Sequence, residues 1–597
     1  METHPGPGDV DGSFPHPAPH GSIPDYLEPF VVDQDTSRYT PQDQAVWRFV
    51  LLQLQDHLGR VAHPAYARGL ADSGISVEHI PSVEQMNRAL SKFGWRAVCV
   101  DGFIPPRAFQ AFQALGILPI AAEIRSARQL PYTPAPDIIH EAAGHAPILV
   151  DTRYAEYVRA SGAVASKAFA NPADARVDKA VRRLSELKEQ LEPDAVETRA
   201  AELELGSAVS SLGPPSEAAR LSRLYWWTAE YGLVGTPSDY RLYGAGLLSS
   251  LGESHFCQRP DVRKLPLRAA CTEVGYDITR PQPQLFVAED FEHLHSVLDE
   301  VRRSLALERG GLYAAVTAQQ SRELSSVHFP GGAEVIGTLE RLAGDERGLL
   351  LGFAPGAALV EQGRLRERVT EEFRVIAGRL SDGQDPRAPS EAGWPDRDRK
   401  GRVTLKYACG AEVSGVVLHG SGAGGSWVQL EHCRFSFPGE TPRSYSAPLS
   451  VLLADRVVTA HAGSSCSEVS PLDAGAKCAR ARPRVPRLRE TSADQQRLNQ
   501  LYARVRRMAE HLSPFDLSGL LQIHRELDAD YPEEWLLRWN ALECLVHHGM
   551  ANGDLGCDLR TRLDALEQHF GGQHPIAMGL RYLSARGSTP SSRRVMP

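Results

Sequence analysis

The stretch Thr133–Asp151, TPAPDIIHEAAGHAPILVD, decides how this chain is read. His140 and His145 stand five residues apart, and Glu141 directly follows the first. Imidazole is the usual protein ligand for iron, zinc and copper. The zinc-protease helix spaces its two histidines by four, so that both leave one face. A spacing of five on a regular helix puts the rings well off a common face. Gly144 before His145 and Pro147 after it mark the segment as a helix end or a distorted turn. A metal held there must draw its third ligand from elsewhere.

The best candidate is Glu230, in RLYWWTAEYGLV (Arg223–Val234). It sits among Tyr225, Trp226, Trp227, Tyr231 and Leu233, and a carboxylate is rarely buried among aromatics unless it is paired or holds a cation. Two neutral histidines and one carboxylate form the facial triad of non-haem Fe(II) oxygenases, which leaves coordination positions open. Taken singly, a histidine is more often packed or solvated, and a buried glutamate more often meets an arginine. The order His-Glu-Gly-His followed by an aromatic-flanked acid is much harder to obtain by accident. A zinc hydrolase with Glu141 as base is the second enzymatic reading, and the spacing of five counts against it.

Four blocks carry a resemblance to a known family. PDIIHEAAGHAPILVD (Pro136–Asp151) resembles the iron motif of the pterin-dependent aromatic amino acid hydroxylases. RLYWWTAEYGL resembles their second motif, YGAGLLSSLGE (Tyr243–Glu253) their third, and TRPQPQLFVAEDF (Thr279–Phe291) the end of their catalytic domain. The resemblance covers roughly 39–305. It implies that His140, His145 and Glu230 bind Fe(II), with O2 as co-substrate and tetrahydrobiopterin as cofactor. It implies that Arg125 receives the substrate carboxylate and that Asp137 holds Arg125. A guanidinium fork suits this because it makes two parallel bonds to one carboxylate. By the same resemblance Thr133, Trp226, Gly246, Ser249 and Ile278 lie at the amino acid substrate. Phe109, Ile104 and Glu141 lie at the pterin, and Tyr225, Pro136 and Tyr276 lie near the iron. Trp227 is read as core. Pro119 departs from the animal phenylalanine hydroxylases, which place a histidine there. An apolar residue at Ile278 favours phenylalanine over tyrosine as substrate.

The 597 residues exceed one core. The net charge of −9 gives no reason to expect nucleic acid or an anionic membrane as partner. Nine scattered cysteines without a CxxC pair read as reduced cytoplasmic thiols. No apolar run reaches the roughly 18 residues of a membrane span, and no secretory signal is visible. The expected fold is mainly α. It has a helical catalytic domain with few short strands, then a C-terminal extension with a small β part and a helical part. The expected segments are a disordered tail (1–23), the catalytic domain (24–305) and a connecting region with linker (306–400). A small β-rich region (401–450) and a helical region (492–597) follow. Thr40 is expected to cap a helix opening at Pro41. A charged amphipathic insertion, about 166–218, interrupts the family pattern. The insertion or the C-terminal half could serve an oligomer. SGAGGS (421–426) lacks the Lys and Ser/Thr of a phosphate loop.

The expected function is a monooxygenase hydroxylating an aromatic amino acid, with L-phenylalanine to L-tyrosine foremost. Tryptophan or tyrosine hydroxylation is the alternative within the family. A non-catalytic regulator that binds pterin or an amino acid is the alternative outside it.

Overall fold

The computed structural model describes residues 23–102, 104–127, 130, 136–188, 194–278, 280–370, 372–381, 401–420, 427–439, 441–445, 449–466, 469, 492–510, 515–571 and 574–587. The expected disordered tail up to residue 22, the centre of the expected linker, the SGAGGS turn and Thr133 lie outside these residues.

The first long helix, Pro41–Val61, begins where its sequence dictates. Thr40 accepts from the Asp43 amide, and Asp43 returns the bond to the Thr40 amide, closing a capping box ahead of a proline at the first position. Its apolar side chains Trp47, Phe49, Val50, Leu51 and Leu54 are fully buried. They seed a core that continues through the histidine segment and the helices around Glu230. Two small sheets flank this core. One pairs Arg96–Val100 in parallel with Ile117–Ala121, joined by the helix Pro106–Ala114. The other runs Asp239–Leu242, Leu233–Thr236, Gln284–Ala288, Arg263–Pro266. The inserted region forms two helices, Pro172–Lys188 and Ala195–Ser210. They pack through Leu184, Leu187 and Ala201 in a small core of their own.

A mainly α fold with few short strands is not what the chain adopts. A 12-stranded sheet occupies the region from Leu324 to Ala462. Its main path runs Arg364–Arg368, Ala358–Glu361, Ala333–Asp345, Gly348–Phe353, Phe373–Gly378, Leu449–Ala454, Trp427–Ser436, Glu412–Gly420, Arg402–Lys406. The physical reason is burial on both faces. Leu349, Leu351, Val375 and Leu452 enter one core, which includes Ala314, Ala315 and Ala318 of the helix Gly311–Ser321. Their neighbours Leu350, Ile376, Val451 and Leu453 enter another. Such strands read as continuous apolar runs, without the alternation that announces a half-exposed strand.

The C-terminal helices return to the beginning of the chain. Phe49 meets Trp535 and Trp539 edge-on, with ring centroids 5.0 and 4.8 Å apart. Arg48 pairs with Glu543 at 2.9 Å, and the Gln42 amide donates to Asn499 at 3.1 Å. These helices therefore share the core that carries the histidine segment. Among the described residues no helix is long and apolar enough to cross a membrane.

Candidate metal centre and substrate cleft

The spacing of five is resolved by a change of helix type. Ile139–His145 is a π-helical turn, and a 3-10 turn containing Pro147 follows it. Hydrogen bonding from i to i+5 widens the turn, so residues five apart return to nearly one face. Glu230 closes a second π-turn, Trp226–Glu230. Gly144 lets the two motifs close on each other: a Cβ there would lie 2.7 Å from the Ala245 carbonyl oxygen.

These turns bring three side chains together. Glu230 Oε2 lies 3.1 Å from His140 Nε2, and Glu230 Oε1 lies 3.2 Å from His145 Nε2. Burial acts to raise the Glu230 carboxyl, but the two imidazoles outweigh it and hold it well below the usual carboxylate range. Ser249 Oγ donates to the Ala245 carbonyl at 2.7 Å, so it can only accept from His140 Nδ1, 3.0 Å away. That fixes the tautomer and leaves a bare lone pair on His140 Nε2, facing a carboxylate oxygen. Two acceptors this close need a cation or a proton between them, and the donor set suits a divalent transition metal. Glu141 also lies within reach of both histidines. It is buried, 3.9 Å from His145 Nε2, and burial pushes its carboxyl up to about 8. Glu230 lies closer to His145 Nε2 than Glu141 does, at 3.2 against 3.9 Å.

Arg125 lies beside this cluster. Its Nε and Nη2 donate to Asp137 at 2.8 and 2.7 Å, and its own amide donates to Asp137 at 2.9 Å. Asp137 also accepts from the His140 amide at 3.0 Å, and Arg125 Nη1 donates to the Ser249 carbonyl at 3.3 Å. Arg125 and Asp137 are both 3% exposed. The pair is therefore part of the interior, and it fixes the cationic fork to the histidine turn.

Trp226 is stacked between Tyr276, 4.2 Å away at 9°, and Tyr231, 4.6 Å away at 27°. Its indole N–H is buried without a partner. The hydroxyls of Tyr276 and Ser222 lie 3.0 Å apart, tying the Tyr276 loop to the helix Glu217–Tyr225. Gly246 is required by close approach, because a Cβ there would meet the Tyr231 ring at 2.9 Å. Ile278 is half-buried two residues beyond Tyr276, and Pro136 is exposed at the mouth of the histidine turn. Phe109 and Ile104 are half-buried, and Phe109 lies edge-on to Tyr225 at 6.1 Å. Tyr225 is 6.4 Å from the His145 ring. Trp227 is fully buried and donates to the Val274 carbonyl.

Residues 33–181 and 196–320 match the model of the biopterin-dependent aromatic amino acid hydroxylases. Over these residues, just under half of its length, the chain matches the pterin-dependent aromatic amino acid hydroxylase family. It is similar to the phenylalanine-4-hydroxylase of Caulobacter vibrioides, 29% identical over 368 residues, covering 61% of this chain and 95% of that protein. The phenylalanine-4-hydroxylase of Chromobacterium violaceum is 28% identical over 277 residues, covering 46% of this chain and 75% of that protein. A crystal structure of the latter with bound Fe(III) aligns at 26% identity with a TM-score of 0.37, covering 47% of this chain and 88% of that one. By the family match and these relatives, the chain is an aromatic amino acid monooxygenase. The gap in the family match lies within the inserted helical hairpin, and the large sheet lies outside the match.

Two functional features escaped the sequence. Ser249, read there as a substrate neighbour, stands on His140 Nδ1. Gln113 is fully buried and its amide nitrogen donates to the Tyr225 hydroxyl at 2.5 Å. A glutamine on the apolar face of RAFQAFQA was the available signal.

Proposed function

We propose that this chain hydroxylates L-phenylalanine to L-tyrosine, using Fe(II), tetrahydrobiopterin and O2. The observation that carries the reading is the convergence of His140, His145 and Glu230 beside a buried arginine fork. The names of the similar phenylalanine-4-hydroxylases support the choice of substrate. In this reading the two Nε2 atoms and the Glu230 carboxylate would hold the iron. Iron and the reduced pterin together supply the electrons that activate dioxygen for insertion of one oxygen atom into the ring.

The chain's own residues do the positioning. Arg125, held by Asp137, takes the substrate carboxylate, and Gly246 and Ser249 lie at the same end of the cleft; Thr133 is assigned to the substrate by the family resemblance alone. Trp226, its faces covered by Tyr276 and Tyr231, meets the substrate ring with its edge, and Tyr276 and Ile278 belong to the same wall. Ile278 offers no polar group to a phenolic hydroxyl, which favours phenylalanine. Phe109, Ile104 and Glu141 face the pterin, where a protonated Glu141 can donate to a ring acceptor. Tyr225 and Pro136 border the iron. The buried aromatics keep water away from a reactive oxidant, and the fixed geometry sets ring against oxygen. Residues 24–305 form the catalytic unit, with the sheet and the C-terminal helices as its scaffold.

The test is to purify the protein, quantify iron, and incubate it with each aromatic amino acid and tetrahydrobiopterin, reading products by mass. The expected result is one catalytic iron per chain and tyrosine from phenylalanine. Hydroxytryptophan or dihydroxyphenylalanine as the main product would move the substrate within the family. Binding of phenylalanine and pterin without any product would refute catalysis.

A further inference from the structure

A second constellation of two histidines and one glutamate lies in the large sheet, outside the region that matches the family. His328 ends the strand Leu324–His328. Glu334 lies on the adjoining strand Ala333–Asp345, paired directly with His328. His461 lies on Thr459–Ala462, on the other side of Leu324–His328. Two positions six residues apart and a third more than a hundred residues further on therefore meet on neighbouring strands. Their ligand atoms all lie within 4.8 Å of one another.

The chemistry of each group suits a cation. His461 is 4% exposed, and its Nδ1 lies 3.0 Å from the Ala462 carbonyl oxygen. A carbonyl only accepts, so Nδ1 carries the proton and Nε2 keeps its lone pair. Glu334 is 4% exposed and accepts from Ser465 Oγ at 2.5 Å, which steadies one carboxylate oxygen. The same oxygen lies 3.8 Å from His328 Nε2. The rings of His328 and His461 lie 5.2 Å apart. His328 is half-buried and leaves an approach from solvent. A backbone hydrogen bond on one ligand's second nitrogen and a hydroxyl on its carboxylate are the supports that metal sites use to orient their ligands.

We propose that His328, Glu334 and His461 bind a second divalent transition-metal ion, with zinc the best match to two neutral imidazoles and one carboxylate. The site is separate from the catalytic centre and is held by the sheet alone. Lys167 acts on the same carboxylate from the catalytic side, where its carbonyl accepts from the Ala462 amide. Its positive charge opposes the metal and sets the affinity below that of an unopposed site. The ion would fasten three strands at the seam where the sheet meets the catalytic core.

The full-length protein, stripped of metal, is titrated with Co(II), read by its visible absorption, and with Zn(II) in competition. The expected result is two equivalents for the wild type. Glu334→Gln and His461→Ala each retain one, and His140→Ala retains the one in the sheet. Ser465→Ala keeps the second equivalent at roughly ten-fold weaker affinity. Lys167→Met binds it more tightly than the wild type. Circular dichroism of the metal-free variants separates a lost ligand from a lost fold, and the isosteric Glu334→Gln serves if His461→Ala does not fold. A wild type that binds a single equivalent, lost in His140→Ala, overturns the proposal. So does a second equivalent seen only in Lys167→Met, which would make the cluster an ion pair with the lysine.

Discussion

Asp137 ties the proposed substrate anchor to the proposed metal ligand, and replacing it with asparagine tests that link. The carboxylate accepts from the Arg125 amide, Nε and Nη2 and from the His140 amide, at 2.9, 2.8, 2.7 and 3.0 Å. Breaking a buried ion pair by removing one partner costs roughly 3–5 kcal/mol, because the remaining charge is left uncompensated. Asparagine keeps the volume and one acceptor oxygen, so Asp137→Asn should cost about 3 kcal/mol, at the lower end. The fork also loses its alignment. A hydrogen bond to a charged group contributes roughly 1.5–3 kcal/mol. The KM for phenylalanine should therefore rise roughly ten- to hundred-fold at 1.4 kcal/mol per decade. The KM for tetrahydrobiopterin should stay within about two-fold, since no pterin contact is assigned to this pair. Urea denaturation followed by tryptophan fluorescence gives the stability, and initial rates with each substrate varied give the two KM values. Arg125→Lys, which keeps the charge but not the fork, should reproduce the KM effect. An Asp137→Asn protein within about 1 kcal/mol of wild type, with unchanged phenylalanine KM, would refute the reasoning.

Other perturbations test the remaining links. Ser249→Ala removes the acceptor from His140 Nδ1 and should weaken iron binding roughly 10- to 100-fold with the fold retained, as read by chelator competition. Gly144→Ala drives a methyl group against the Ala245 carbonyl and should separate the two π-turns, abolishing stoichiometric iron. Trp539→Ala empties the contact with Phe49 and should cost roughly 3–5 kcal/mol. Because the two helices share one core, the catalytic region and the C-terminal helices should still unfold in a single transition, checked by calorimetry. Tyr276→Ala unstacks Trp226 and should raise the KM for phenylalanine more than it lowers kcat, as steady-state kinetics will show.

How much of this was legible in the sequence depends on where the information lies. The helix at Pro41 could be read because its cap, its proline and its apolar stripe are all local. The convergence of His140, His145 and Glu230 could be anticipated from residue chemistry. How a spacing of five brings the two rings within 5.0 Å of each other could not, since a π-turn has no propensity signature distinct from an α-helix. The hydrogen bond from His140 to Ser249 spans 109 positions, so no local pattern marks it. The sheet was missed for the opposite reason. GLLLGF and LSVLLA lack alternation because both faces of those strands are buried, and a short apolar run is equally consistent with a core helix. The strands that could be read alternate because polar positions such as Ser414, Gln429, Glu431 and Arg434 lie outside the core that takes Val413, Val428, Leu430 and Phe435. The same logic explains why the second histidine cluster was invisible. His328, Glu334 and His461 look like isolated polar residues until the register of three strands sets them side by side.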